Sequence, residues 1–491
     1  MAKKSLNLVG RLKKRDVRKR RDALRCISPD DARYTFATNA LADYLSYEAE
    51  IKTAAYIQYV LLETRAEFGK AERKHVRRVK ASLDKFDPLN ALLIEDEVTH
   101  HDQIAVIDEI GRHVPLETKA LLHPGTTSYD IVDTLRAYLL KKAWFEKIRG
   151  KVCEGIEKIC QLSELSEKEN ILQVGRTHLQ DTSPVPFSMT LAGYARRFAE
   201  MVEYCDRSFN DLRGKVSGIV GTGASVDMVI GEGKSLKFEK AVLKKLGLKP
   251  DYTATQITGR EKLCLAGEGI TLLAKVLGNF ANDMRILYSS AVGEVNSRKD
   301  AARLGGSSAD AGKNNPINWE NIAGKAEVIA SGMHVLHAML DSNLGRDLRN
   351  SVQGRYQPQT MMVQTYEAFS RLYKELGQFS INADKMQANL AYVRENSTEA
   401  MTAILRARQF IHSEYGEGHN FVKVMAKEAK TKKKGLLNIC LRDDEFREFF
   451  GSLPKKESSI LLGDIEKYVG HAYKRAKDNR EYSRRVIKKA T

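Results

Sequence analysis

From Gln256 to Glu294 the chain reads QITGREKLCLAGEGITLLAKVLGNFANDMRILYSSAVGE. Leu263, Ile270, Leu273, Leu277 and Met284 recur there at helical spacing, and no proline interrupts them. A stretch this long far exceeds the ~11-residue average helix, and its apolar stripe must be buried against other helices. Val328, Val335, Leu336 and Met339 repeat the pattern between Asn321 and Leu340, and segments near 131–166 and 184–212 are similar. The expectation is an all-α protein of three helical domains around an extended bundle. The boundaries fall at a basic N-terminal arm (1–28), an N-terminal helical domain (29–130), the long-helix bundle (131–385) and a C-terminal, Lys-rich helical domain (386–491).

The bulk properties narrow the function classes. The chain has 491 residues, 42% apolar and 29% charged, as in ordinary soluble globular proteins. No apolar run approaches the ~18 residues that span a bilayer. The basic start, Met1-Ala2-Lys3-Lys4, has no apolar stretch long enough for a secretory signal, so the cytoplasm is expected. Six scattered cysteines with no C-x-x-C pair argue for free thiols, and against a disulfide framework or a zinc site. The formal net charge is +17. Much of the excess sits in Lys13-Lys14-Arg15, Arg18–Arg21, Lys430–Lys434 and Arg484–Lys489. Such tails bind RNA or anionic surfaces, and are also commonly solvated ends.

Four blocks carry candidate chemistry. In Gly305–Glu320 (GGSSADAGKNNPINWE), glycines and serines let backbone N–H groups approach a ligand, while Lys313 and Asn315 suit a carboxylate. Glu320 opens a helical run, where it orients the lysine or caps the helix. In Gly175–Asp181 (GRTHLQD), His178 sits beside Thr177, and an imidazole titrates near neutrality. In His123–Thr134, Thr127 and Ser128 precede an acidic first turn, reading as a helix N-terminus that offers N–H groups to an anion. In Arg346–Arg355, two arginines with Ser351 read as a phosphate clamp or as a solvated turn.

Together these blocks resemble the fumarase/aspartase/adenylosuccinate lyase superfamily. Its mobile loop, Gly-Ser-Ser-x-x-Pro-x-Lys-x-Asn-Pro with a later glutamate, is matched by Gly306, Ser307, Ser308, Lys313, Asn315, Pro316 and Glu320. Asp310-Ala311 replaces the usual Met-Pro, which loses a φ-restricting proline and adds a negative charge. Leu179-Gln180-Asp181 looks closer to fumarases and aspartases. The Thr127-Ser128 block, Arg33-Tyr34, Thr99-His100-His101-Asp102, Thr255-Gln256 and Arg346-Asp347-Leu348 with Ser351 and Arg355 resemble adenylosuccinate lyases. The match runs from about Arg33 to Tyr468–Ala472.

The resemblance implies a homotetramer whose helices form a common core, with each site built from three subunits. It also implies β-elimination of fumarate from a succinylated nucleotide, with no metal or organic cofactor. Ser307 is then the general base, and His178 the general acid. Lys313 and Asn315 hold the succinyl carboxylates, and Glu320 orients His178 or Lys313. His101, among the catalytic residues, positions substrate with Thr127 and Ser128, its neighbours His100 and Asp102 also contact substrate, and Gln256 touches the succinyl or base portion. Arg33, Tyr34, Arg346, Ser351 and Arg355 take the nucleotide end. Thr177, Ser308 and Asn321 complete the expected substrate contacts. The alternatives are a related carboxymuconate-, argininosuccinate-, fumarase- or aspartase-like lyase, or an impaired homologue whose basic arm binds RNA or a partner.

Overall fold

A computed structural model describes residues 25–297, 310 and 312–489. The basic arm up to residue 24, Ser307, Ser308 and Ala311 lie outside the described residues. Long helices dominate: α1 (Tyr47–Glu67), α2 (Ser128–Ala143), α3 (Phe187–Asn210), α4 (Glu261–Tyr288), α5 (Ile317–Ala338) and α6 (Arg349–Leu376). Strands among the described residues form four two-stranded sheets, the longest a hairpin of β1 (Leu172–Thr177) and β2 (Gln180–Pro186). The all-α expectation holds.

Helix α4 starts five residues later than the apolar pattern predicts. Side chains take the amides there: Thr258 N–H donates to Asp133 Oδ2 at 2.8 Å, and Gly259 N–H to Asp251 Oδ2 at 2.6 Å. Its stripe is otherwise as read, with Ile270, Leu273, Leu277 and Met284 at most 1% exposed. One 18-residue window of α4 has a mean hydropathy of 1.3, enough by length and composition to cross a membrane. More than half of that window, 56%, is buried within the fold, as in a core helix. The buried face of α5 is Ile322, Ala326, Ile329, Met333 and Leu336, whereas Val328, read as part of the stripe, is 52% exposed.

The described chain divides into two compact units. The first is built from residues up to Val152, Met201–Lys275 and Gly324–Ser370. Its core includes Trp144, whose ring stacks on Phe209 at 5.2 Å and whose Nε1 donates to Asp206. Arg65, 2% exposed on α1, donates to the carbonyls of Leu121 and Pro124. This fixes the turn that feeds α2.

The second unit is built from Cys153–Glu200, Val276–Ala323 and Arg371 onward. Trp319 packs edge-on against Phe280 and Phe379 there. Farther along the chain, the rings of Phe410, Tyr415 and Phe421 pack against His412. His412 Nδ1 accepts from the N–H groups of Glu414 and Tyr415, so its proton sits on Nε2 and is donated to Asp443.

Candidate active site

In the first unit, a cavity of about 290 Å³ gathers seven of the residues read from sequence. His100, His101, Asp102, Ser128, Arg346 and Arg355 line it, with Ser351 beside the arginines. Each arrives by a distinct local device. His100 adopts a left-handed conformation (φ 48°) that ends the π-helical turn Glu95–Thr99 and turns the chain into the next helix. His101 Nε2 lies 3.1 Å from Ser128 Oγ, while its Nδ1 is 3.4 Å from Asp102 Oδ1. That Nδ1 is buried without a hydrogen-bond partner. Ser128 is the first residue of α2, after the N-cap Thr127, so free backbone N–H groups point outward at this position.

Asp130 locks that helix end. Its Oδ2 accepts from Thr127 N–H at 2.8 Å and from Gly218 N–H at 3.1 Å. Its Oδ1 accepts from Ser217 N–H at 3.0 Å and from the Lys215 ammonium. Both charged side chains are fully buried. His123, a few residues upstream, contacts Gln58 at 3.0 Å, and burial pushes its imidazole down to about 4. It is therefore neutral at physiological pH and serves the turn.

On the arginine side, Arg346 NH1 donates to Gln256 Oε1 at 3.3 Å, which brings the Thr255-Gln256 motif to the cavity edge. Thr255 Oγ1 donates to the Gly345 carbonyl at 2.6 Å, tying the two segments together. Ser351 and Arg355 stand one turn apart on α6. This part of the block read as a possible turn is therefore helical. The remaining cavity wall was not legible from motifs. Glu50 holds Arg136 (3.2 Å) and Gln359 (3.3 Å), and Tyr47 donates to Glu95 at 2.8 Å. Burial and the Glu95 carboxylate raise the Tyr47 hydroxyl above its ordinary value, which keeps it a donor. Arg33 and Tyr34 are not among the lining residues: Arg33 is exposed, and the Tyr34 ring lies 4.1 Å from Lys325 Nζ.

The second unit carries the other blocks. GRTHLQD is a β-hairpin in which Thr177 pairs with Gln180 and Arg176 with Asp181. His178 and Leu179 form its two-residue tip, both at positive φ (52° and 59°), the geometry of a type I′ turn. The tip projects His178 into solvent. Non-glycine residues at such angles are strained by ~1 kcal/mol or more. Arg176 anchors the hairpin through a two-pronged ion pair with the buried Glu294 (2.6 and 3.0 Å). Asp181 Oδ1 accepts from Arg176 Nε at 2.9 Å. The Leu-Gln-Asp continuation thus has a local structural role.

In the loop before α5, Asp310 Oδ1 accepts from Gly312 N–H at 3.0 Å, and Lys313 N–H donates to the Asp310 carbonyl at 3.2 Å. The intruding carboxylate makes a turn by hydrogen bonding where the usual loop has a proline. Lys313 is exposed, Asn315 half-buried, and Glu320 exposed in the first turn of α5 with Asn321 behind it. Asn318 Nδ2 donates to Glu375 at 2.6 Å and fixes the start of α5.

The family model described as "Lyase" matches residues 19–331. An adenylosuccinate lyase of Pyrococcus horikoshii is 30% identical over 396 residues, covering 79% of this chain and 83% of that protein. This chain belongs to the adenylosuccinate lyase branch of the fumarase/aspartase superfamily. The adenylosuccinate lyase of Archaeoglobus fulgidus is 26% identical over 93% of this chain and 98% of its own length. Among solved structures, the fold matches a fumarate lyase from Mesorhizobium sp. BNC1 (TM-score 0.74, 19% identity, 90% and 97% of the two chains). It also matches a 3-carboxy-cis,cis-muconate lactonizing enzyme from Pseudomonas putida (TM-score 0.75, 19% identity, 91% and 97%). The candidate residues read from the sequence of this lyase thus fall mainly into a cavity group in one unit, and a hairpin and loop group in the other.

Proposed function

We propose that this lyase releases fumarate from N-succinyl purine nucleotides, converting adenylosuccinate to AMP and the succinylated aminoimidazole carboxamide ribotide of purine synthesis to its amide. The observation that carries the reading is the joint lining of one cavity by Arg346, Ser351 and Arg355 with His101 and Ser128. Guanidinium forks and a hydroxyl suit phosphate oxygens. A helix start beside an imidazole suits a second anionic or polar group.

In the elimination, Ser307 takes a proton from the carbon β to the leaving nitrogen. The C–H electrons form the new C=C bond, the C–N bond breaks, and His178 protonates the nitrogen. Lys313 and Asn315 hold the succinyl carboxylates and stabilise the aci-carboxylate that develops, which is electrostatic preorganisation. Glu320 orients His178 or Lys313. Thr177, Ser308 and Asn321 line the succinyl end, and Arg33 and Tyr34 reach the nucleotide. The reading assigns no step to a metal or cofactor.

We further infer a soluble cytoplasmic homotetramer whose sites each draw on three subunits, with the three-domain layout. Leu265 and Leu272, seven residues apart on α4 and 45% and 37% exposed, support this, as does exposed Val328 on α5. They offer apolar stripes for helices of other subunits. An absorbance assay with adenylosuccinate, malate, aspartate and argininosuccinate tests the substrate. Turnover of adenylosuccinate alone is expected, and turnover of malate or argininosuccinate in its place would discard the reading.

Restoring Met-Pro by Asp310→Met with Ala311→Pro tests the loop. A stray negative charge near bound carboxylates costs on the order of 1 kcal/mol at a partly solvated site. The double variant is therefore expected to raise kcat about fivefold, measured in the same assay.

A further inference from the structure

Arg346 differs from its companions in the cavity. Ser351 and Arg355 are held by α6, whereas Arg346 precedes that helix, two residues after Leu344 (φ 44°) and next to Gly345 (φ 100°). An arginine on such a segment has many rotamers open to it. Here its guanidinium carbon lies 3.7 Å from the centroid of the Tyr129 ring. Tyr129 is the second residue of α2, 4% exposed, and packs with Val132 and Ile257 in a small buried cluster. Gln256 Oε1 accepts from one end of the fork. Neighbouring Arg349 is paired with Asp347 and Asp341, while among the described residues Arg346 has no ion-pair partner.

We propose that Tyr129 is a positioning residue that makes the cavity selective for a phosphorylated ligand, acting through Arg346. Its ring is a rigid platform that fixes the guanidinium plane by cation–π attraction, leaving the charge for an anion in the cavity. The hydroxyl plays no part: it is buried without a hydrogen-bond partner, which costs stability. The proposal rests on the nucleotide reading above.

The test is calorimetric binding of AMP and of adenosine to the full-length protein carrying Tyr129→Leu or Tyr129→Phe, alone and combined with Arg346→Ala. Tyr129→Leu is expected to weaken AMP about tenfold and to leave adenosine within about twofold. Tyr129→Phe should retain wild-type selectivity with an equal or higher Tm. In the Arg346→Ala background, Tyr129→Leu should have no further effect on AMP, which a merely structural role would not produce. Equal losses for AMP and adenosine, or an undiminished effect without Arg346, would overturn the proposal. Wild-type protein that fails to bind AMP would overturn the nucleotide reading itself. Tight AMP binding left intact by Tyr129→Leu would overturn only the role of Tyr129, and if Tyr129→Leu misfolds, lost AMP selectivity in folded Tyr129→Phe would overturn it as well.

Discussion

Replacing Ser307 by alanine is expected to lower kcat for adenylosuccinate by about 10³-fold or more, with the circular dichroism spectrum and oligomeric state unchanged. General base catalysis contributes roughly 10²–10⁴-fold. An ordinary serine hydroxyl is far too weak a base, so the loop must supply N–H groups and cations that favour its alkoxide. Lys313 is a candidate cation in the same loop. It follows the Asp310 turn directly, so its backbone is already partly set. KM is expected to change less than kcat, because the hydroxyl acts on the reacting proton and holds little of the substrate. Single-turnover kinetics separates the two, and near-wild-type turnover would remove Ser307 from the mechanism.

The largest stability effect is expected at Lys215. Its ammonium is fully buried against Asp130, itself fully buried, and it also donates to the Gly218 carbonyl at 3.1 Å. Lys215→Met leaves the Asp130 carboxylate with backbone donors alone. Removing one partner of a buried ion pair costs about 3–5 kcal/mol, so the unfolding midpoint in urea should fall markedly. The damage reaches the site, because Asp130 also caps the helix that presents Ser128. Lys215→Met with Asp130→Asn should recover part of the loss, since the buried charge is then gone. A midpoint within experimental error of wild type for Lys215→Met would show that the pair adds nothing to the fold.

The long helices were legible because burying a stripe imposes a period on the sequence, and Ile270, Leu273, Leu277 and Met284 obey it. The late start of α4 was not legible, since it depends on Asp133 and Asp251, carboxylates outside the apolar pattern that take the amides of Thr258 and Gly259 just before it. Val328 misled for a related reason: an apolar residue at helical spacing does not say which face of the helix its own fold covers. His178 was readable as a residue but not as a hairpin tip. The tip of GRTHLQD, His178-Leu179, lacks the glycine or asparagine that usually marks a type I′ turn. The Arg176–Glu294 pair that holds it spans more than a hundred residues. The cavity was half legible. Motif residues supplied its histidines, its serines and two of its three arginines, while Tyr47, Glu50, Glu95 and Arg136 carry no motif and meet only through folding. Tyr129 lay in plain view inside a quoted block, but its ring gains meaning only once Arg346 is seen over it.

The most direct measurement is a proton NMR time course of the purified protein with adenylosuccinate, following the vinylic signal of fumarate and the purine signals of AMP. The account predicts that the two products appear together in one-to-one ratio as the substrate disappears. Unchanged adenylosuccinate from a folded protein that consumes another succinyl or malyl compound would contradict it.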